Sequence, residues 1–315
     1  MNALPLGLGV LVFTGALALS ALLVWISIRI AHRYDFVDLP DGVRKIQNFG
    51  IPKLGGVAIA IAFSASSLIT IGFGDNPEVL VQALWFLIPA LLAASIGYLD
   101  DKRGLPAWLR LVLQAIVGLG TAYAVHDVLE ITGNTLLDSA ITIAWVMVLI
   151  NGVNLLDNSD GLAGATVLIA GLTAAAVAII SGQYLIGAWG LALAGTAGGF
   201  LVHNWNPARV YMGDSGAYFL GTMLATVTLT LNVSYQMLPW TLLIPILIAS
   251  LPMLDTSFVV ISRLRRGIHP FTAGRDHLSH RLQATGMSVR VSVLTLEVIL
   301  LVASAAAIAI TLMNT

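Results

Sequence analysis

Ten long apolar runs divide this chain, and all fifteen Lys and Arg side chains fall in or beside alternate loops between them. One helix needs ~20 predominantly apolar residues to cross a hydrocarbon core. The runs lie at Leu6–Ile30, Gly55–Phe73, Leu80–Tyr98, Leu109–Ala124 and a shorter Ala140–Val153. They continue at Ala163–Ser181, Leu185–His203, Ala217–Leu231, Pro239–Ile261 and Val291–Leu312. Lipid offers backbone N–H and C=O groups no partner, so each run is read as a spanning helix. The basic loops are 31–54, 99–108, 204–216 and 262–290, and loop 154–162 on the same side carries two Asp and no base. The opposite loops hold Asp75, Glu78, Asp127, Glu130 and Asp138 without a Lys or Arg. The positive-inside rule then places the basic loops in the cytoplasm and both chain ends outside. The expected fold is an all-α polytopic membrane protein of about ten transmembrane helices, one domain over residues 1–315.

Composition agrees. The chain is 58% apolar and 10% charged, with mean hydropathy +0.91, more apolar surface than a soluble domain of this length hides. The first run follows no basic stretch and is too long for a signal peptide, so it is read as a retained span. With no Cys, disulfides, Cys–zinc sites and iron–sulfur clusters are excluded. A metal would sit on oxygen or imidazole, and carboxylate ligands would favour Mg²⁺ or Mn²⁺. Pro245 and Pro252 predict a kinked or broken ninth helix. No nucleic-acid partner is expected.

Polar chemistry gathers in the basic loops. Asp100 and Asp101, in GYLDDKRGLP, sit side by side where a helix ends; neighbouring carboxylates repel and recruit a cation or a proton. An ordinary acidic helix end flanked by Lys102 and Arg103 is the plain alternative. Asn151, Asn154, Asp157 and Asp160 recur every three residues, which lays amides and carboxylates along one stripe of a helix leaving the membrane. Polar groups this dense are costly near lipid and mark a site, and a cap plus a turn accounts for only one or two of them. Gly161 and Gly164 would let the backbone approach a ligand.

Asn204 leads into Met-Gly213-Asp214-Ser215-Gly216, an acidic helix start suited to an anion or a metal, or an Asp or Ser N-cap. The loop from Arg263 to Leu282 sets His277 and His280 among several Arg, including Arg281. It reads as a phosphate-binding patch, although lipid attraction explains Arg263, Arg265 and Arg266 as well. Lys53, beside Gly55 and Gly56 and downstream of Arg44 and Lys45, is either a phosphate contact or a membrane anchor. Arg110 could face the cleft of Asp101. Asp255, inside the ninth run, is either buried in the site or caps a half-helix.

Together, in this order and on one face, these segments resemble the polyprenyl-phosphate N-acetylhexosamine-1-phosphate transferases. The likeness is to the branch that begins O-antigen and teichoic-acid linkage synthesis, related to the translocase that makes lipid I. It covers Arg44 to about Leu282 and implies ten helices, a cytoplasmic cleft and a Mg²⁺ requirement. By that likeness Asp100, Asp101 and Asp157 are the catalytic acids, and Asn154 and Asp214 meet the metal or its diphosphate. Asp160 and Asn204 match nucleoside contacts, and Arg110 matches a diphosphate contact. Lys53, Asn151, His277, His280 and Arg281 complete the expected substrate-binding set. Where the family's loop often reads His-x-His-His, this chain has Ser279 at the middle position.

The implied partners are a UDP-N-acetylhexosamine, with GlcNAc as the default, and a polyprenyl phosphate in a bacterial inner membrane. Oligomeric state is open, a homodimer included. The reaction would release UMP, by direct attack or through a covalent Asp intermediate. Two rivals stand beside it. An intramembrane aspartyl protease would pair the Asp of Leu99-Asp100 with that of Gly213-Asp214 but leave the Asn/Asp stripe idle. A secondary transporter would place its ionisable groups near mid-span, whereas most here lie at span ends.

Overall fold

The computed structural model describes residues 6–34, 37–38, 50–72, 77–126, 129, 131–231, 238–270, 272 and 274–314. Arg44, Lys45, Asp75, Asp127 and Glu130 lie outside the described residues. The helices are α1 (Leu6–Arg33), α2 (Gly55–Gly72), α3 (Pro77–Arg103), α4 (Ala107–Val125), α5 (Thr135–Leu156) and α6 (Leu162–Ile180). They continue as α7 (Tyr184–Asn204), α8 (Gly213–Leu229), α9 (Leu238–Ile248), α10 (Ser250–Arg265), α11 (Leu278–Ala284) and α12 (Val289–Asn314). A short antiparallel pair, β1 (Val37–Asp38) and β2 (Ile51–Pro52), sets Val37 opposite Pro52.

Every expected run coincides with helix. Among the described residues seven helices are long and apolar enough to cross a membrane, or eight if the bent pair α9–α10 counts as one span, against the expected count of about ten. The 17-residue α8 and the 18-residue α2 are shorter. α5 extends beyond the expected Ala140–Val153 to 22 residues because Asn134 caps it by accepting from the backbone N–H groups of Leu136 and Leu137. The expected break in the ninth run is a 79° bend between Ile248 and Ser250. Pro245 removes one helical donor before the bend, and Pro252 occupies the first turn after it, where no donor is needed.

α8 is the axis of the bundle. Each residue from Ser215 to Leu229 is buried, packed by α2, α3 and α5. Wrapped in protein, it need not match the lipid thickness. Three of its threonine hydroxyls are satisfied locally: Thr222, Thr226 and Thr228 donate to carbonyls four residues back, and Trp145 Nε1 donates to Thr228 Oγ1 at 3.0 Å. The result is an apolar core whose polar atoms concentrate at one end, where α8 begins.

Candidate active site

The start of α8 is held by glycines on two neighbouring helices. A Cβ on Gly97 of α3 would lie 2.3 Å from the Asp214 carbonyl oxygen, and one on Gly56 of α2 would lie 2.2 Å from the Gly216 nitrogen. Only the missing side chains let the three backbones meet. The β2 segment is tied to the same place: Tyr211 N–H donates to Pro52 O at 2.8 Å, and Gly55 N–H to Tyr211 O at 3.2 Å. Lys53 is thereby brought into electrostatic range of Asp101 and Asp157.

No side chain on α8 itself caps its first turn. The cap position is Met212, without a side-chain hydrogen bond, so neither Asp214 nor Ser215 is the N-cap. Asp101 does this work from α3: its carboxylate accepts from the backbone N–H groups of Asp214 and Ser215, the latter at 3.3 Å. Asp214 accepts from Asn154 Nδ2 of α5. Asp157, the C-cap of α5, is pushed well above the usual carboxylate range by burial first, then by repulsion from Asp214, Asp101 and Asp160; Lys53 opposes this. Asp101, Asn154, Asp157 and Asp214 thus come from three helices to one place.

Asp100 is turned elsewhere. Its buried carboxylate accepts from Leu105 N–H at 2.8 Å and Tyr218 Oη at 2.9 Å, and lies 3.6 Å from Arg110 Nη1. These bonds close the α3–α4 turn and aim Arg110. Asn151 also looks away from the stripe, donating Nδ2 to Gln114 Oε1 at 2.6 Å. Asp160 accepts from Asn206 Nδ2 and Ala208 N–H, and buried Asn204 bridges Gly161 N–H and Val210 O. Both therefore organise the 204–212 loop rather than standing open. Gly161, at φ +83°, and Gly164 lie against the Trp205 and Leu201 side chains.

The basic loop folds back on itself. Arg263 is buried and grips Asp276 at 2.9 and 2.7 Å, so it is no lipid anchor; Arg266 reaches the same carboxylate at 2.7 Å. The pair with Arg263 holds Asp276 down at about 2. Arg281, expected at the phosphate, is exposed, lies over Phe258 and donates to Ser262 Oγ, because the loop turns it toward α10. His277 Nδ1 meets Asp255 Oδ2 at 2.8 Å, and its ring lies edge-on to His280. Burial, then His277 and Arg275, push His280 below the ordinary imidazole range. Ser279 donates to Asn158 Oδ1 at 2.6 Å and Gln283 Nε2 to Ser159 Oγ at 3.1 Å, which docks α11 on the loop after Asp157. The sequence left Asp255 undecided, marked Ser279 only as a departure from the family's loop, and gave no role to Asn158 or Tyr218. A carboxylate inside an apolar run was the available signal for Asp255; Tyr218 offered none.

The donor set can be tested against Mg²⁺. Among the described residues no three His, Asp or Glu enclose an ion. Mg²⁺ needs no such cage, since it takes one or two carboxylates and keeps water and substrate phosphate. Asp214 with Asn154, Asp101 alongside, and the buried Ser215 Oγ, which has no hydrogen-bond partner among the described residues, fit that demand. A cavity of about 910 Å³ at the opposite end, lined by His126, Asp138, Gln183 and Thr230 among others, shares no residue with this cluster.

The model described as glycosyl transferase family 4 matches residues 83–232, which span Asp101, Asn154, Asp157 and Asp214. The chain is 32% identical over 288 residues to a probable undecaprenyl-phosphate N-acetylglucosaminyl 1-phosphate transferase of Bacillus subtilis, covering 89% of this chain and 78% of that one. It is 33% identical over 258 residues to a phospho-N-acetylmuramoyl-pentapeptide-transferase of Lactobacillus gasseri, covering 76% and 78%. A decaprenyl-phosphate N-acetylglucosaminephosphotransferase of Mycobacterium leprae is 31% identical over 304 residues, covering 83% and 73%. Likeness over most of both chains makes this protein a member of the polyprenyl-phosphate N-acetylhexosamine-1-phosphate transferase family.

Proposed function

We propose that this protein transfers N-acetylglucosamine 1-phosphate from UDP-N-acetylglucosamine to undecaprenyl phosphate and releases UMP, starting a cell-envelope polysaccharide. The reading rests on one observation above all: Asp101, Asn154, Asp157 and Asp214 converge at the basic end of the bundle, with Lys53 and Arg110 beside them. The names of the relatives supply the donor and acceptor classes. The site then faces the cytoplasm of a bacterial plasma membrane, where the nucleotide sugar is made and the basic loops belong.

In this reaction an oxygen of the lipid phosphate attacks the sugar-bearing phosphorus, and the bond from that phosphorus to the UMP oxygen breaks. Between two anions the requirement is charge neutralisation and alignment more than covalent chemistry. Mg²⁺ held by Asp214 and Asn154 would neutralise the diphosphate and the leaving UMP. Lys53 and Arg110 contribute fixed positive charge, Arg110 steadied by Asp100. Asp101 would take a proton from the lipid phosphate, a small contribution because a phosphate monoester with second pKa ~6 is mostly ionised at neutral pH. Asp157, shifted upward by its surroundings, is suited to hold a proton.

The aspartyl-protease alternative needs Asp100 and Asp214 as a facing pair, and Asp100 is instead committed to Tyr218, Leu105 and Arg110. The test is UMP release from a panel of UDP-sugars with undecaprenyl phosphate and Mg²⁺ in detergent. Asp101→Ala, Asp214→Ala and chelation should each abolish it. Undiminished turnover in chelator would remove the metal from the mechanism, and preference for another sugar would replace GlcNAc.

A further inference from the structure

Asp255 has no part in the acidic cluster, yet it is among the most deeply buried charged side chains, 1% exposed. A carboxylate in that setting needs donors on both oxygens. Here Oδ1 accepts from Leu278 N–H at 2.8 Å and Oδ2 faces His277 Nδ1 at 2.8 Å. His277 is itself buried, 4% exposed. Leu278 opens α11, which is latched to the loop after Asp157 through Ser279 and Asn158. One carboxylate on α10 therefore fixes both the start of the histidine-bearing helix and the orientation of its first imidazole. The 79° bend just before α10 is what brings Asp255 beneath the loop.

An ionised carboxylate only accepts, so the nitrogen facing it must carry a proton. We propose that Asp255 is the positioning residue of His277. It locks the ring with the proton on Nδ1 and commits Nε2, on the opposite edge, to the substrate. Nε2 then points one way in every turnover, as lone pair or as N–H, toward the phosphate of the nucleotide sugar. This rests on the transferase reading. His280, edge-on to His277 with its Nδ1 buried and without a hydrogen-bond partner among the described residues, has no such carboxylate on that nitrogen. The two imidazoles of this loop are thus unequal: one is oriented by an acid, the other waits for a partner.

The test combines spectroscopy with kinetics on the purified full chain in detergent. With ¹⁵N-histidine labelling, the His277 signals are identified by their loss in His277→Gln. The neutral ring should show the Nδ1–H tautomer in the wild type and the Nε2–H tautomer in Asp255→Asn, because the bond on one nitrogen dictates the proton on the other. In the UMP-release assay Asp255→Asn should lower kcat about 10–100-fold, the range seen when a histidine loses its orienting partner. Asp255→Glu should restore much of it, and Asp255→Asn should add nothing in a His277→Gln background. An Nε2–H tautomer in the wild type overturns the proposal, even if Asp255→Asn fails to fold. So does a further loss from Asp255→Asn on top of His277→Gln. If the wild type releases no UMP from any donor, the transferase reading fails, while the tautomer measurement still decides the role of Asp255.

Discussion

Gly97→Ala adds one methyl group at a residue with no chemistry of its own, so it probes the geometry of the site alone. The new Cβ would lie 2.3 Å from the Asp214 carbonyl oxygen, 2.5 Å from its carbon and 2.6 Å from the Ser215 nitrogen. All three are backbone atoms and cannot rotate aside, and ordinary contact begins at 3.4 Å. The start of α8 must therefore retreat by about 1 Å, carrying Asp214 away from Asn154 and loosening its bonds to Asp101; a 1 Å misplacement can cost ~100-fold in rate. Stability should change far less. Overpacking costs about 1–3 kcal/mol, and replacing a helical Gly by Ala returns about 1 kcal/mol, for a net of roughly 0–2 kcal/mol. Gly120→Ala on α4 is the control, since its Cβ would meet the Pro89 side chain at an ordinary 3.5 Å. UMP release and thermal unfolding in the same detergent check both numbers. Full activity in Gly97→Ala, or an equal loss in Gly120→Ala, would refute the packing argument.

Two further outcomes follow from the electrostatics. Burial and repulsion from Asp214, Asp101 and Asp160 raise Asp157, so in metal-free protein the folded state loses stability as pH climbs from 3.8, where the unfolded acid ionises, toward the folded value. Asp157→Asn should thus unfold at the same temperature as the wild type near pH 4 and at a higher one at pH 8, while losing activity; a gap that shrinks with pH would contradict the assignment. Asp276 is shifted the other way, to about 2, so its support is complete above 3.8 and is lost only as pH falls through about 2. Asp276→Ala leaves buried Arg263 without its carboxylate, at a cost of about 2–3 kcal/mol. It should expose 263–275 to trypsin at neutral pH, and an equally resistant variant would show that the Arg263 knot does not hold the loop.

The histidine loop shows where sequence stops informing. Arg263 and Arg266 look alike as basic residues near a membrane, yet one is buried on Asp276 and the other half-exposed, a distinction made by how residues 263–276 close. Likewise Asp100 and Asp101 are indistinguishable as neighbours in the chain. About 100° of helical rotation sends one to Tyr218 and Arg110 and the other to the start of α8. The Asn/Asp stripe divides in the same manner, with Asn151 tied to Gln114, Asn154 to Asp214 and Asp160 to the Asn206 side chain and the Ala208 N–H.

The residues alone were sufficient for an all-helical, multi-pass membrane fold, the break near Pro252 and the gathering of acids at the basic end. All of these follow from solvation, which acts residue by residue: apolar runs go to lipid, charge goes to the rim, and proline cannot donate. Which acid meets which partner was decided by packing between segments far apart in the chain. Gly56 and Gly97 admit the start of α8, and Asp255 reaches His277 across a bend, because close approach depends on distances that no single segment contains.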